Sequence, residues 1–181
     1  MSKVWICLFR GINVGGNNKL PMKELTKVML AEGFTDVKTY IASGNVLFCS
    51  DLSEAALETL IGDLVETNFG FRPAVFLITL PYLEKVLAEN PFRDHEHQGK
   101  AQHMFFFRAP PVKVDRDLLD SLKIDSEAYE ITDEVMYLYA PEGIGRSKMA
   151  EKIGRAIKGD MTARNLNTVE TLKDMAAELE K

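Results

Sequence analysis

Short apolar runs and helical spacings alternate along this chain in one order that occurs twice, and that order limits the folds open to it. Val4-Trp5-Ile6-Cys7-Leu8-Phe9 is a continuous apolar run of strand length. Met22, Leu25, Val28 and Met29 then recur at helical spacing, between a proline suited to a first helical position (Pro21) and a glycine able to end the helix (Gly33). Residues 37–41 and 46–49 read as two strands around Ala42-Ser43-Gly44-Asn45, which has the composition of a hairpin turn. Ser53 can cap a second helix whose Leu57, Leu60, Ile61, Leu64 and Val65 share a face before Gly70, and residues 74–78 form another strand. Strand, helix, strand, strand, helix, strand is the split βαβ order of ferredoxin-like domains.

A third helix, opened by Pro81 and carrying Leu83, Val86 and Leu87, ends at Asn90-Pro91. The polar stretch that follows reads as a linker. Its Asp94, His95, Glu96 and His97 are metal-ligand types, but adjacent ligands in a flexible segment lack a rigid scaffold, so no metal site is assigned. The same order of elements then begins again with a strand at 102–107 and a short helix capped by Asp115. A hairpin turning at Asp133-Glu134 follows, then a helix from Ser147 to Gly159 and an extended piece near Met161-Thr162-Ala163. A terminal helix carries Val169, Leu172, Met175, Ala176 and Leu179 on one face, with Asn167 and Glu170 as a capping arrangement. The expected fold is α+β: two tandem ferredoxin-like (βαββαβ) units with an extra linking helix and a C-terminal helix. The first unit and linking helix take residues 1–90, the linker 91–101, and the second unit and C-terminal helix 102–181. Residue identities do not repeat between the halves, so the duplication rests on element order.

This topology makes a spatial statement about the polar loops. Right-handed crossovers place the first and third strands of a unit side by side and antiparallel. Arg10-Gly11-Ile12-Asn13-Val14-Gly15-Gly16-Asn17-Asn18-Lys19 should therefore lie beside Ser43-Gly44-Asn45, and Cys7 should face Cys49. Glycines at 11, 15 and 16 allow positive φ, and outward N–H groups flanked by Arg10 and Lys19 suit an anion. The plainer account is turn chemistry, in which asparagines hydrogen-bond the local backbone. Neither GxxxxGK[ST] nor GxGxxG is matched. In the second unit Gly143-Ile144-Gly145-Arg146-Ser147-Lys148 leads into a helix N-terminus. There the dipole and Arg146 and Lys148 favour an anion, or Ser147 is an ordinary cap. Arg164 and Asn165 should share that edge.

Composition narrows the classes. With 181 residues and 46% hydrophobic content the chain can bury a real core, and a net charge of −5 argues against nucleic-acid binding through bulk positive charge. Cys7 and Cys49 make no disulfide framework or zinc spacing and read as buried small hydrophobes. No apolar run approaches membrane-spanning length and no cleavable leader is evident, which points to the cytoplasm.

The opening loop, Ser43-Gly44-Asn45-Val46, Gly145-Arg146-Ser147-Lys148 and residues 162–168 together resemble a bacterial family known as domain of unknown function 1697. The resemblance covers nearly the whole chain and implies a cytoplasmic α+β protein with ferredoxin-like character and no established substrate. Leu166 departs from it, since members usually carry an aromatic there. The expected function is binding of a phosphorylated or anionic small molecule. The expected ligand-binding residues are Arg10, Gly11, Asn13, Gly15, Gly16, Lys19, Ser43, Gly44, Asn45, Arg146, Ser147, Lys148, Arg164 and Asn165. No cofactor or metal is expected, and no catalytic base or nucleophile can be nominated: the histidines sit in or beside the linker, the cysteines are mid-strand, and Ser43 and Ser147 lack an evident base. The alternatives are a nucleic-acid module, although an RNP1 pattern is absent, and a structural protein, monomeric or homodimeric, whose loops brace its units.

Overall fold

The structure is a computed structural model and describes residues 2–95 and 99–181. It is a mixed α+β chain with two four-stranded antiparallel sheets and, among the described residues, six α-helices. The chain divides into two compact units: residues up to Glu84 together with Thr171–Lys181, and Lys85–Glu170.

The first unit runs β1 (Lys3–Arg10), α1 (Met22–Ala31), β2 (Thr35–Tyr40), β3 (Asn45–Ser50), α2 (Glu54–Phe69) and β4 (Ala74–Ile78), with sheet order β2-β3-β1-β4. The unbroken apolar run of β1 follows from its central position, buried on both faces. Trp5, Cys7 and Phe9 pack with Val46, Phe48, Val75 and Leu77 against Leu25, Met29, Leu57, Ile61 and Val65 of the helices. Val4, Ile6 and Leu8, pointing the other way, are buried as well. Each such side chain contributes roughly 1.5–3 kcal/mol by leaving water, so this strand anchors the unit. The Ser53 side chain accepts from the Ala56 amide at 3.3 Å to start α2, and Gly70 in the left-handed conformation ends it.

The second unit contains the end of α3 (Leu80–Ala88), then β5 (Gln102–Phe107), β6 (Lys113–Val114), α4 (Arg116–Leu122), β7 (Ala128–Ile131) and β8 (Val135–Tyr139). A 3-10 turn (Ile144–Arg146), α5 (Lys148–Ala156), β9 (Ile157–Lys158) and β10 (Met161–Asn165) follow, and α6 (Leu166–Leu179) begins here. Its sheet order is β10-β5-β8-β7, the same relative order as in the first unit. Phe105, Phe107, Met136, Leu138 and Met161 form one core with Leu119 of α4 and Met149, Ile153 and Ala156 of α5.

Three local expectations are corrected. The fifth helix stops at Ala156 rather than Gly159, because Val114 and Lys113 pair with Ile157 and Lys158 in a two-stranded ribbon and Ile157 is extended and buried. The cap of α6 is Asn165, whose side-chain oxygen accepts from the Thr168 amide at 2.9 Å, and not Asn167. Asn167 instead lies so close over Gly99 that any side chain there would collide with its amide. Cys7 does not face Cys49: Cys7 is opposite Val46 and Cys49 opposite Val4, and two strand positions three apart point to opposite faces.

Asn90 and Phe92, after α3, are tied to the start of β5 by a buried polar pair. Asn90 Nδ2 donates to Gln102 Oε1 at 2.8 Å and Gln102 Nε2 donates to the Phe92 carbonyl at 2.7 Å. The Phe92 amide closes the circuit on Asn90 Oδ1 at 3.0 Å. Replacing Asn90 or Gln102 by Ala strands buried polar atoms, and a loss of about 2 kcal/mol in urea unfolding is expected for either. A much smaller loss would show that water satisfies these groups.

Candidate functional site

The loop after β1 is a small hairpin, not an open coil. The Asn13 amide donates to the Asn18 carbonyl and the Asn17 amide to the Val14 carbonyl, each at 3.1 Å. Gly15 and Gly16 at the tip have φ of 59° and 79°, the pair of positive values a type I′ turn requires. Asn18 Nδ2 donates to the Gly11 carbonyl at 3.1 Å across the base. Apolar plugs hold both ends, since Ile12 and Leu20 are buried in the first unit's core. Arg10, Lys19 and Val14 are exposed around this finger.

The loop lies beside residues 42–45, as the topology requires. The Phe9 amide donates to the Gly44 carbonyl at 2.9 Å, and Leu8 is opposite Asn45. A Cβ added to Gly44 would stand 2.5 Å from Ile12 Cδ1 and 2.9 Å from Phe9 Cβ, so the glycine is required for this approach. Between the two strands Ile41 adopts φ 51° while 51% exposed. A β-branched residue in this region is strained by roughly 1–2 kcal/mol. Two asparagines hold the carbonyls on either side of it. Asn45 Nδ2 donates to the Tyr40 carbonyl at 2.9 Å and to Ser43 Oγ at 3.2 Å. Asn13 Nδ2 donates to the Ala42 carbonyl at 2.8 Å and to the Leu20 carbonyl at 3.0 Å, while its Oδ1 accepts from the Leu20 amide at 2.8 Å. Asn13 therefore joins the start of α1 to the turn.

In the second unit Ser147 caps α5, its Oγ accepting from the Ala150 amide at 3.0 Å, and is buried; Arg146 and Lys148 beside it are exposed. The end of β8 and the end of β10 flank the start of β5, so this turn and Arg164-Asn165 share one edge of the sheet. Arg164 is only 8% exposed and donates to Thr162 Oγ1 at 3.1 Å and to the Ala163 carbonyl at 2.8 Å. Leu166, where the family resemblance expects an aromatic, is buried at the first position of α6. Asn13, Asn45, Ser147 and Asn165 thus have structural duties, and the exposed cations are Arg10, Lys19, Arg146 and Lys148.

His103 sits opposite Asn165 and Leu138, its Nδ1 buried without a hydrogen-bond partner among the described residues. Burial lowers its pKa from 6.5 to about 4, keeping it neutral. No group of three or more metal-ligating side chains occurs among the described residues, and Glu96 and His97 lie outside them. No helix among the described residues is long and apolar enough to cross a membrane.

A family model described as protein of unknown function DUF1697 matches residues 1–137. The chain belongs to this family. The match includes the whole first-unit loop and turn and ends within β8, so residues 143–148 and 164–165 of this DUF1697 protein lie beyond it. A conserved bacterial protein of Streptococcus pneumoniae, SP0830, has a similar fold, with a TM-score of 0.69 at 22% identity over 97% of this chain and 99% of its own. No curated protein matches the chain.

The sequence reading missed the strain at Ile41 and the clamp on it, for which the only signal was two asparagines near a glycine turn. Ile41→Gly is expected to raise stability by about 1 kcal/mol, and Asn13→Ala to lower it by about 2, in urea melts; an Ile41→Gly variant no more stable than the parent would remove the strain. His103 gives a pH signature. Its folded pKa lies below the unfolded value, so its contribution is intact above pH 6.5 and is lost as pH falls towards about 4. Between pH 7 and 5 the parent is expected to lose of order 1–2 kcal/mol more than His103→Leu.

Proposed function

We propose that this protein is a binder of a phosphorylated or otherwise anionic small molecule, seated on the first unit's edge between the Arg10–Lys19 hairpin and the Ser43–Asn45 turn. The observation that carries the reading is the clamped turn: strain at an exposed Ile41, held by Asn13 and Asn45, is more than a connection between two strands requires. Further support comes from α1, which starts at Met22 just after this loop, with Pro21 at its N-cap and no side-chain cap, so its first amides and positive dipole end add to Arg10 and Lys19. Surface cations contribute about 0–1 kcal/mol each. Affinity must therefore come mainly from backbone N–H groups, and a dissociation constant of roughly 0.1–1 mM for a simple anion is expected. We further infer that each unit is a ferredoxin-like βαββαβ domain, which the shared strand order supports, and that the Arg146–Lys148 turn with Arg164 and Asn165 is a second anion-binding edge.

One observation favours a structural reading instead. Asn13, Asn45, Ser147 and Asn165 all direct side-chain polar atoms to the protein's own backbone. The two readings separate by titrating inorganic phosphate, sugar phosphates and nucleotides while following backbone amides by NMR. Saturable shifts at Gly15, Gly16 and Ser43, weakened about tenfold by Arg10→Ala with Lys19→Ala, are expected. Arg146→Ala with Lys148→Ala should affect only the second edge. Absence of any saturable shift with every anion would leave the bracing role.

A further inference from the structure

The opposite end of the first unit holds a cavity of about 410 Å³ lined by Glu32, Gly33, Phe34, Leu52, Leu60 and Asp51, with Ser2, Thr35, Cys49 and Ser50 completing its wall. Its volume suits a small organic molecule. Phe34 is buried and Leu52 exposed, so the lining combines an apolar floor with an open rim.

The charged side chains lining this cavity, among the described residues, have one sign. Among the described residues its lining carboxylates are those of Glu32 and Asp51, and no lysine or arginine lines it. It also meets the C-terminal end of α1, which has no basic residue in its last turn. The last amides fold back there, Glu32 to the Val28 carbonyl, Gly33 to Leu30 and Phe34 to Met29, and the negative end of the helix dipole faces the Glu32-Gly33 wall. A bulge between Thr35 and Lys38 puts Asp36 at φ 54° beside Cys49. Burial first, then the Asp36 carboxylate through its charge and a hydrogen bond, then Glu180, push the Cys49 thiol above its ordinary value. Lys3, opposite Ser50 in the sheet, has its ammonium 4.5 Å from the centroid of the Trp5 ring and does not line the cavity.

We propose that this cavity binds an organic ammonium group carrying a short apolar chain, the ammonium at Glu32 and the α1 C-terminus and the chain on Phe34 and Leu60. The complementarity is of charge and of surface together. An anion would meet carboxylates and a helix C-terminus, and a small inorganic cation would leave the apolar floor unused. This site is separate from the anion-binding edge and does not depend on it.

The test is an NMR titration of the full-length protein with n-hexylammonium, 1-hexanol and hexanoate, read at the backbone amides of Gly33, Thr35 and Ser50. Saturable shifts at these amides are expected with n-hexylammonium. Hexanol should bind roughly fivefold or more weakly, and hexanoate should give no saturation up to about 20 mM. Glu32→Gln, at an exposed position where folding should be unaffected, should weaken n-hexylammonium about fivefold, and Leu60→Trp should abolish its binding by filling the floor. Equal affinity for hexanol, unchanged affinity in Glu32→Gln, or shifts confined to other parts of the molecule would overturn the proposal.

Discussion

The Asn13 side chain is the interaction on which the first unit's polar edge depends. Three hydrogen bonds made by one amide group join the loop after β1, Leu20 two residues before α1, and the turn before β3. Asn45 does the complementary work from the other side of Ile41, and Gly44 supplies the space in which Ile12 and Phe9 close against the turn. These contacts make the edge a set of fixed backbone groups. A net hydrogen bond contributes only about 1 kcal/mol, so two or three per asparagine are what it takes to offset the left-handed conformation of a β-branched residue.

The same unit is electrically polarised along α1. The helix begins near Lys19 with uncapped amides and ends at Glu32 without a basic side chain in its last turn. Its positive end lies by the glycine hairpin and its negative end by the acidic cavity. In the second unit the corresponding chemistry is redistributed. The glycine-rich turn follows β8 rather than β5, so the two units share strand order without sharing the position of their polar loops.

Much of this was legible from residue patterns because it follows from burial. The run at 4–9 belongs to a central strand, and the helical stripe at Leu57, Ile61 and Val65 is a core face. The neighbourhood of Arg10–Lys19 and Ser43–Asn45 followed from chain topology alone. What could not be read was local and polar. Asn167 and Asn165 both offer capping chemistry, and only the start of α6 at Leu166 decides between them. Ile157 looks like one more position of a helical stripe, yet pairing with Val114 takes it into a strand. A left-handed isoleucine contradicts local preference, so no residue pattern announces it. The cavity near Cys49 joins residues of β2, β3 and α2 with the segments between elements, none of which carries a motif.

Binding at this edge requires the hairpin and the turn to be held rigid before any ligand arrives. Backbone ¹⁵N relaxation of the ligand-free protein measures this directly at Gly15, Gly16, Ile41 and Gly44. Order parameters near about 0.8, close to those of β1 and β3, are the expected result, with a fall at Ile41 and Gly44 in Asn13→Ala. Values below about 0.6 at these residues in the parent protein would show an ordinary mobile connection and contradict the account.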